Sequence, residues 1–323
     1  MITSRRKFIA TAALSPASFA ISGSLLSTLA KSPSNSTLPA TAPNVGCITG
    51  NEPSEFTAFE QWLGAAPSFC LLAFNQSSAT ALASSIPYIC TQGHAFTQLG
   101  ANVIWSIPCP GRSQLEAIVA GNFDATYKNL FQSILAVYPT SNQPIYVRLP
   151  WEFNLSEQEN AAVDKNGHWN PNLFLAAWQR LANIAHDISP RFMRIWCPNV
   201  TTQSLDPALC WPGAEYVEIV SQDFYMQGKY NKPGDINWFL NEKRGLIWGK
   251  NFALANNKYF AMSEWGMDSD KFFNDLTIAS QWMQGLGGKL HHHCWWNRTE
   301  GINCMLTGSA LPGLAKAYKQ RFA

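Results

Sequence analysis

The sequence predicts a single-domain α/β protein, a (β/α)8 or TIM barrel, and three observations predict it. Short apolar runs alternate with longer amphipathic ones, the pattern of parallel strands joined by crossover helices. Eight apolar runs can be named, and several are apolar on both faces, as buried parallel strands are. No long low-complexity segment divides the chain after its first 42 residues, and what remains is long enough for one large barrel.

The expected strands are Val45–Thr49, Phe69–Phe74, Asn102–Ile107, Pro144–Leu149, Met193–Pro198, Val217–Gln222, Tyr259–Ser263 and Leu290–Trp295. Between the third and fourth, Phe123, Tyr127, Leu130, Phe131, Ile134 and Leu135 recur at helical spacing after Asn122, a capping candidate. Phe174, Trp178, Leu181, Ala185 and Ile188 do the same after Asn170-Pro171, with proline placed for a first helical position. A third helix is expected to begin at Ser269 and to bury Phe272, Leu276, Ala279 and Met283. These stripes read as core, and no internal repeat is visible.

The N-terminus carries Arg5-Arg6-Lys7-Phe8-Ile9 and then a mildly apolar run without an acidic residue. It resembles a twin-arginine translocation signal, which implies folding before export to the periplasm or the medium. Ser15, Pro16, Ser18, Ser22 and Gly23 break the apolar run, so no stable membrane span is expected. Ala40-Thr41-Ala42 fits an A-x-A cleavage rule, and Ser32 to Pro43 reads as a linker, giving a signal and linker over 1–42 and a barrel over 43–323.

Residues 1–42 hold four cations and no acid, so their removal takes the formal charge from +2 to −2. No basic stripe remains to neutralise phosphates, which argues against a nucleic-acid partner. Eight cysteines all lie beyond the signal, and an oxidising compartment would permit disulfides. Cys197 with Cys210 and Cys294 with Cys304 are the short-range pairings considered.

In a barrel of this type the active site sits at the C-terminal ends of the strands. Two acidic residues stand there beside aromatics: Glu152 in Arg148-Leu149-Pro150-Trp151-Glu152-Phe153-Asn154, and Glu264 in Met262-Ser263-Glu264-Trp265-Gly266. They follow the fourth and seventh strands. Cleavage of a glycosidic bond needs one carboxylic acid to protonate the departing oxygen and one carboxylate to attack the anomeric carbon or direct water at it. A gap of about 5–5.5 Å between the two carboxyls would make the second a nucleophile, with retention of configuration.

With these two motifs in that order, the chain resembles clan A of the glycoside hydrolases, and family 26 and its relatives most closely. Gly46-Cys47-Ile48-Thr49-Gly50 and Pro212-Gly213-Ala214-Glu215-Tyr216-Val217 extend the likeness along the chain. The resemblance implies a retaining, endo-acting β-glycosidase with Glu152 as acid/base and Glu264 as nucleophile. It also matches Tyr225 to a tyrosine that hydrogen-bonds the nucleophile, and places an aromatic floor for the sugar at Trp295 or Trp296, of which alternation lets only one face the mouth. Many clan members have Asn directly before the acid/base and family 26 has His, whereas this chain has Trp151. The residue that meets the sugar 2-hydroxyl, and β-mannan as substrate, therefore do not carry over with the likeness.

Arg148 either orients one of the glutamates or neutralises a buried acid. Asn154 contacts substrate or closes a loop, and Asp223 lines the cleft or satisfies loop amides. Tyr225 alternatively packs as a strand-end aromatic. His291-His292-His293-Cys294 invites a metal reading, but strand alternation would point His292 away from its neighbours, and no metal or cofactor is expected. The nucleophile elbow of Ser–His–Asp hydrolases and Gly-rich phosphate loops are missing. The expected partner is a polysaccharide or oligosaccharide, bound by a monomer. The competing expectations are an exo-acting glycosidase or transglycosylase, and a carbohydrate-binding barrel without catalysis.

Overall fold

The computed structural model describes residues 44–140, 142–201 and 205–323. The twin-arginine motif, the cleavage site and the linker expected over 1–42 lie outside these residues. Nine strand segments, of which the sixth and seventh follow one another directly, are interspersed with helices along the described chain. They are β1 (Asn44–Ile48), β2 (Phe69–Ala73), β3 (Asn102–Ser106), β4 (Ile145–Arg148), β5 (Phe192–Trp196), β6 (Ile219–Ser221), β7 (Phe224–Met226), β8 (Tyr259–Met267) and β9 (Leu290–Trp296). All pair in parallel, in the order β6-β5-β4-β3-β2-β1-β9-β8-β7. A further pairing of β6 with β8 closes the sheet. Segments β6 and β7 both pair with β8, at Tyr259–Ala261 and Trp265–Met267, and so form one interrupted stave. The result is an eight-stave (β/α)8 barrel in a single domain.

The helices are α1 (Pro53–Leu63), α2 (Ala79–Gln98), α3 (Leu115–Val119), α4 (Asp124–Ala136), α5 (Pro171–Ile188), α6 (Ile236–Asn241), α7 (Leu246–Ala255), α8 (Phe273–Leu286) and α9 (Pro312–Phe322). Helix α5 starts as the sequence predicts: the Asn170 side chain accepts a hydrogen bond from Leu173 N at 3.0 Å, and Pro171 occupies the first turn. Helix α4 does not. Phe123 rather than Asn122 holds its cap position, without a side-chain cap. Its first-turn Asp124 instead takes two 2.7 Å hydrogen bonds from Arg180 of α5, tying the two helices together. Around Ser269 a 3-10 turn over Asp270–Phe272 precedes α8, and Phe272, Leu276, Ala279 and Met283 are all buried.

Side chains fill two layers. Ile48, Phe69, Leu71, Ile104, Met193 and Ile219 pack inside the barrel, and a larger cluster fills the space between strands and helices. Close approach fixes Gly46 in β1: a Cβ there would stand 2.6 Å from Cys294 Sγ and 2.9 Å from Phe69 Cβ. All eight cysteines are free thiols. The pairings considered for them fail on layering, because Cys197 and Cys294 face the barrel interior while Cys210 and Cys304 belong to the outer layer. Among the described residues, no helix is long and apolar enough to cross a membrane.

The interruption of the sixth stave positions the site. At Gln222-Asp223 the backbone turns toward the end of β5, where Asp223 N donates to Pro198 O at 3.1 Å and Val200 N donates to Asp223 O at 2.9 Å. Opposite the break, β8 shifts register against β9 between Met262 and Trp265. Irregularities of this kind re-aim side chains, and Glu264 lies in this one.

Candidate active site

Glu152 follows β4 by four residues and has a left-handed backbone, with φ at +49°. A non-glycine residue is strained there and persists only where its surroundings hold it. Here Glu152 N donates to Cys197 O at 2.8 Å, just past β5. Its carboxyl takes a 2.6 Å hydrogen bond from Asn199 Nδ2 on Oε1 and a 2.9 Å bond from Gln158 Nε2 on Oε2. Burial, followed by the charge of Glu264, pushes its pKa up to about 7 against the lowering pull of Asn199 and Arg148.

Glu264 is held on three sides. Arg148 Nη2 donates to Oε1 at 2.5 Å, the Tyr225 hydroxyl donates to Oε2 at 2.6 Å, and its own backbone N donates to Asp223 Oδ1 at 2.8 Å. Arg148 is fully buried, and its Nη1 and Nε donate to Asp223 Oδ2 and Ser106 Oγ, each at 3.0 Å. Burial works against the guanidinium charge, but the carboxylates of Glu264 and Asp223 outweigh it and hold Arg148 above its ordinary pKa. Trp151 lies under the same guanidinium, with 4.5 Å from Cζ to the ring centroid. Burial and the neighbouring Glu264 likewise raise the Tyr225 phenol well above its usual value, so it remains a donor.

The two carboxyls thus stand in opposite electrostatic settings at one end of the barrel, each 7–8 % exposed. Chemically, the arrangement offers a proton donor near neutral pH beside a carboxylate fixed by a cation and a phenol.

Of the other residues singled out from the sequence, Asp223 is buried and serves Arg148 and the Glu264 backbone. Trp296 is partly buried and meets Tyr225 edge to face at 6.1 Å. Trp295 does not reach the site. It is fully buried in the outer layer, 4.6 Å from Trp265, with its indole N–H on Cys304 O at 2.8 Å, because neighbouring strand residues face opposite sides. Asn154 is 1 % exposed, and its amide spans the Asn199 backbone.

The histidine run departs from simple alternation. His291 and His292 touch through their Nδ1 atoms at 2.8 Å, while His293 accepts from Trp265 Nε1 at 3.2 Å. Among the described residues, no group of three or more His, Cys, Asp or Glu side chains is placed to hold a metal ion. Three residues of the site were missed in the sequence: Asn199, Gln158 and Ser106. Asn199 stands past β5 much as Glu152 stands past β4, a position that could have flagged it. Gln158 sits in a polar loop without any such signal.

The fold and this constellation define a (β/α)8 barrel with paired carboxyls at the mouth of its fourth and seventh staves. Solved structures share the fold across most of the chain. The catalytic domain of a family 26 endo-β-1,4-mannanase from a Bacillus species superposes with a TM-score of 0.63 at 12 % identity, covering 87 % of each chain. A Bacillus subtilis mannanase gives 0.60 at 14 % identity, covering 87 % of this chain and 86 % of the other. An endo-β-1,4-mannanase double mutant from Cellulomonas fimi gives 0.63 at 12 % identity, over 87 % of this chain and 70 % of that one. No family profile matches the chain, and no curated protein matches it in sequence.

Proposed function

We propose that the protein is a retaining, endo-acting β-glycoside hydrolase with Glu152 as general acid/base and Glu264 as nucleophile. The observation that carries this reading is the contrast between the carboxyls: Glu152 is held near a pKa of 7, and Glu264 is bound by Arg148 and Tyr225. In the first step Glu264 attacks the anomeric carbon as Glu152 gives its proton to the departing oxygen. In the second, Glu152 takes a proton from water, which displaces Glu264 and regenerates both groups. Asp223 keeps Arg148 charged, Trp296 offers an aromatic face to the sugar, and Trp151 supports Arg148.

The shared fold with family 26 endo-β-1,4-mannanases puts β-mannan first on a substrate panel, followed by glucans, xylans and bacterial exopolysaccharides. The test is hydrolysis of that panel by the purified barrel, with anomer-resolved product analysis. Glu152→Gln and Glu264→Gln are expected to abolish turnover, the second with glycan affinity retained. Wild-type binding without turnover across the panel would establish a carbohydrate-binding barrel instead. Export belongs to the same reading. Replacing Arg5 and Arg6 together with lysine is expected to retain the folded protein inside the cell.

A further inference from the structure

Something must fix the carboxyl that this reading makes the acid, and the contacts around Asn199 show what does. Asn199 lies three residues past β5, and both faces of its backbone are engaged. On one side, Val200 N donates to Asp223 O at 2.9 Å and Asp223 N donates to Pro198 O at 3.1 Å. On the other, the Asn154 side chain imitates a neighbouring strand. Its Nδ2 donates to Asn199 O and its Oδ1 accepts from Asn199 N, each at 2.9 Å. Asn199 so held aims Nδ2 at Glu152 Oε1, at 2.6 Å. Asn154 is too deeply buried for a sugar to reach.

We infer that Asn154 and Asn199 form a clamp on Glu152, in which Asn154 is a positioning residue that acts on the carboxyl through Asn199. The inference rests on the proposed function for its catalytic meaning, but the clamp itself is a property of the resting protein. Its sign follows from the direction of the hydrogen bond: an amide donor favours the ionised carboxyl, so loss of the clamp raises the Glu152 pKa. The other charged and titratable groups facing Glu152 are Glu264 in β8, Arg148 in β4, Glu157 on its own loop, and Asp223 and Tyr225 on the sixth stave. None of them changes in the variants below.

The test is a carbon-13 NMR titration of glutamate side-chain carboxyls in the 43–323 barrel, with the Glu152 signal assigned by its loss in Glu152→Gln. Asn199→Ala is expected to move the Glu152 midpoint up by about one pH unit, the worth of one hydrogen bond to a charged group. Asn154→Ala is expected to move it by a similar amount, and the double variant no further than Asn199→Ala alone. Should Asn154→Ala not fold, Asn154→Ser, with a shorter hydrogen-bonding arm, is expected to move it part of the way. A folded Asn154 variant with an unmoved midpoint overturns the clamp, as do shifts that add in the double variant. Kinetics separate the two readings. If the NMR midpoint moves and the alkaline limb of glycan hydrolysis does not follow, Glu152 is not the acid, although the clamp stands.

Discussion

Arg148 meets Glu264 at 2.5 Å from a position with no solvent exposure, and the same guanidinium spans to Asp223 at 3.0 Å. One cation thus serves two carboxylates inside the barrel. Replacing it with Met leaves both without a counter-charge, and removing one partner of a buried ion pair typically costs about 3–5 kcal/mol. Arg148→Met is expected to lose that much stability in urea unfolding. Arg148→Lys recovers only part, since one ammonium cannot reproduce the planar fork to Ser106, Asp223 and Glu264. A loss below about 1 kcal/mol in Arg148→Met would show that the pair is solvated.

Tyr225→Phe removes the 2.6 Å hydrogen bond to Glu264 and keeps the ring that packs on Trp296. Hydrogen bonds to charged groups are worth about 1.5–3 kcal/mol, so kcat is expected to fall roughly 10- to 100-fold with little change in KM. A fall in affinity at constant kcat would make Tyr225 a substrate contact rather than a partner of the nucleophile.

The raised pKa of Glu152 sets the sign of a pH dependence. Its folded pKa of about 7 lies above the ordinary 4.5, so the native state binds the extra proton between those values. Its contribution to stability is therefore fully present below about pH 4.5 and is lost as pH rises through 7. Glu152→Gln is expected to abolish activity yet stabilise the fold above pH 7, by an amount on the order of 3 kcal/mol. If Glu152 is the acid as proposed, activity of the wild type is expected to fall on the alkaline side as it loses its proton. Denaturation midpoints at pH 8 for the two proteins check the sign, and a less stable Glu152→Gln would reverse it.

The histidine run works in the opposite direction. Burial holds His291 down to about 4, His293 down to about 3 and His292 well below its usual range. Each contributes stability that is fully present above the ordinary 6.5 and is lost as pH falls toward the folded values. Glu152→Gln removes one of the two buried acids whose raised pKa opposes this effect, leaving Asp223 against three histidines. In that background the urea midpoint is expected to drop steadily from pH 6.5 to about 4. A flat midpoint over this range would mean that the imidazoles carry their protons in the folded barrel.

Most of the barrel is legible in the sequence because parallel strands buried on both faces are apolar runs, as Phe69–Ala73 is, and Phe192–Trp196 departs from that only at Arg194, which pairs with Glu218. The eighth strand segment runs on to Met267, past the expected Ser263, because Trp265, Gly266 and Met267 pair with the second half of a sixth stave whose break is set by tertiary hydrogen bonds. Helix α2 escapes a periodicity search although Leu82, Ile86, Ile89, Gly93 and Phe96 form its buried stripe. Serine, threonine and alanine dilute that stripe, Pro87 interrupts it, and Gly93 is small because the Trp105 ring occupies the space of a side chain. At the site, Glu152 and Glu264 are marked by their strand ends. Asn199 shares the strand-end position, but its role could not be read from it, since that role depends on Asn154, 45 residues away.

The left-handed turn at Glu152 sets a conflict between making the molecule sturdy and keeping it chemically competent. Glycine would relax that bend and asparagine would suit it better than glutamate does. Selection for heat tolerance alone is therefore drawn to a position where relief of the backbone removes the carboxyl proposed as the acid, and screens for hardier variants need turnover as a second criterion.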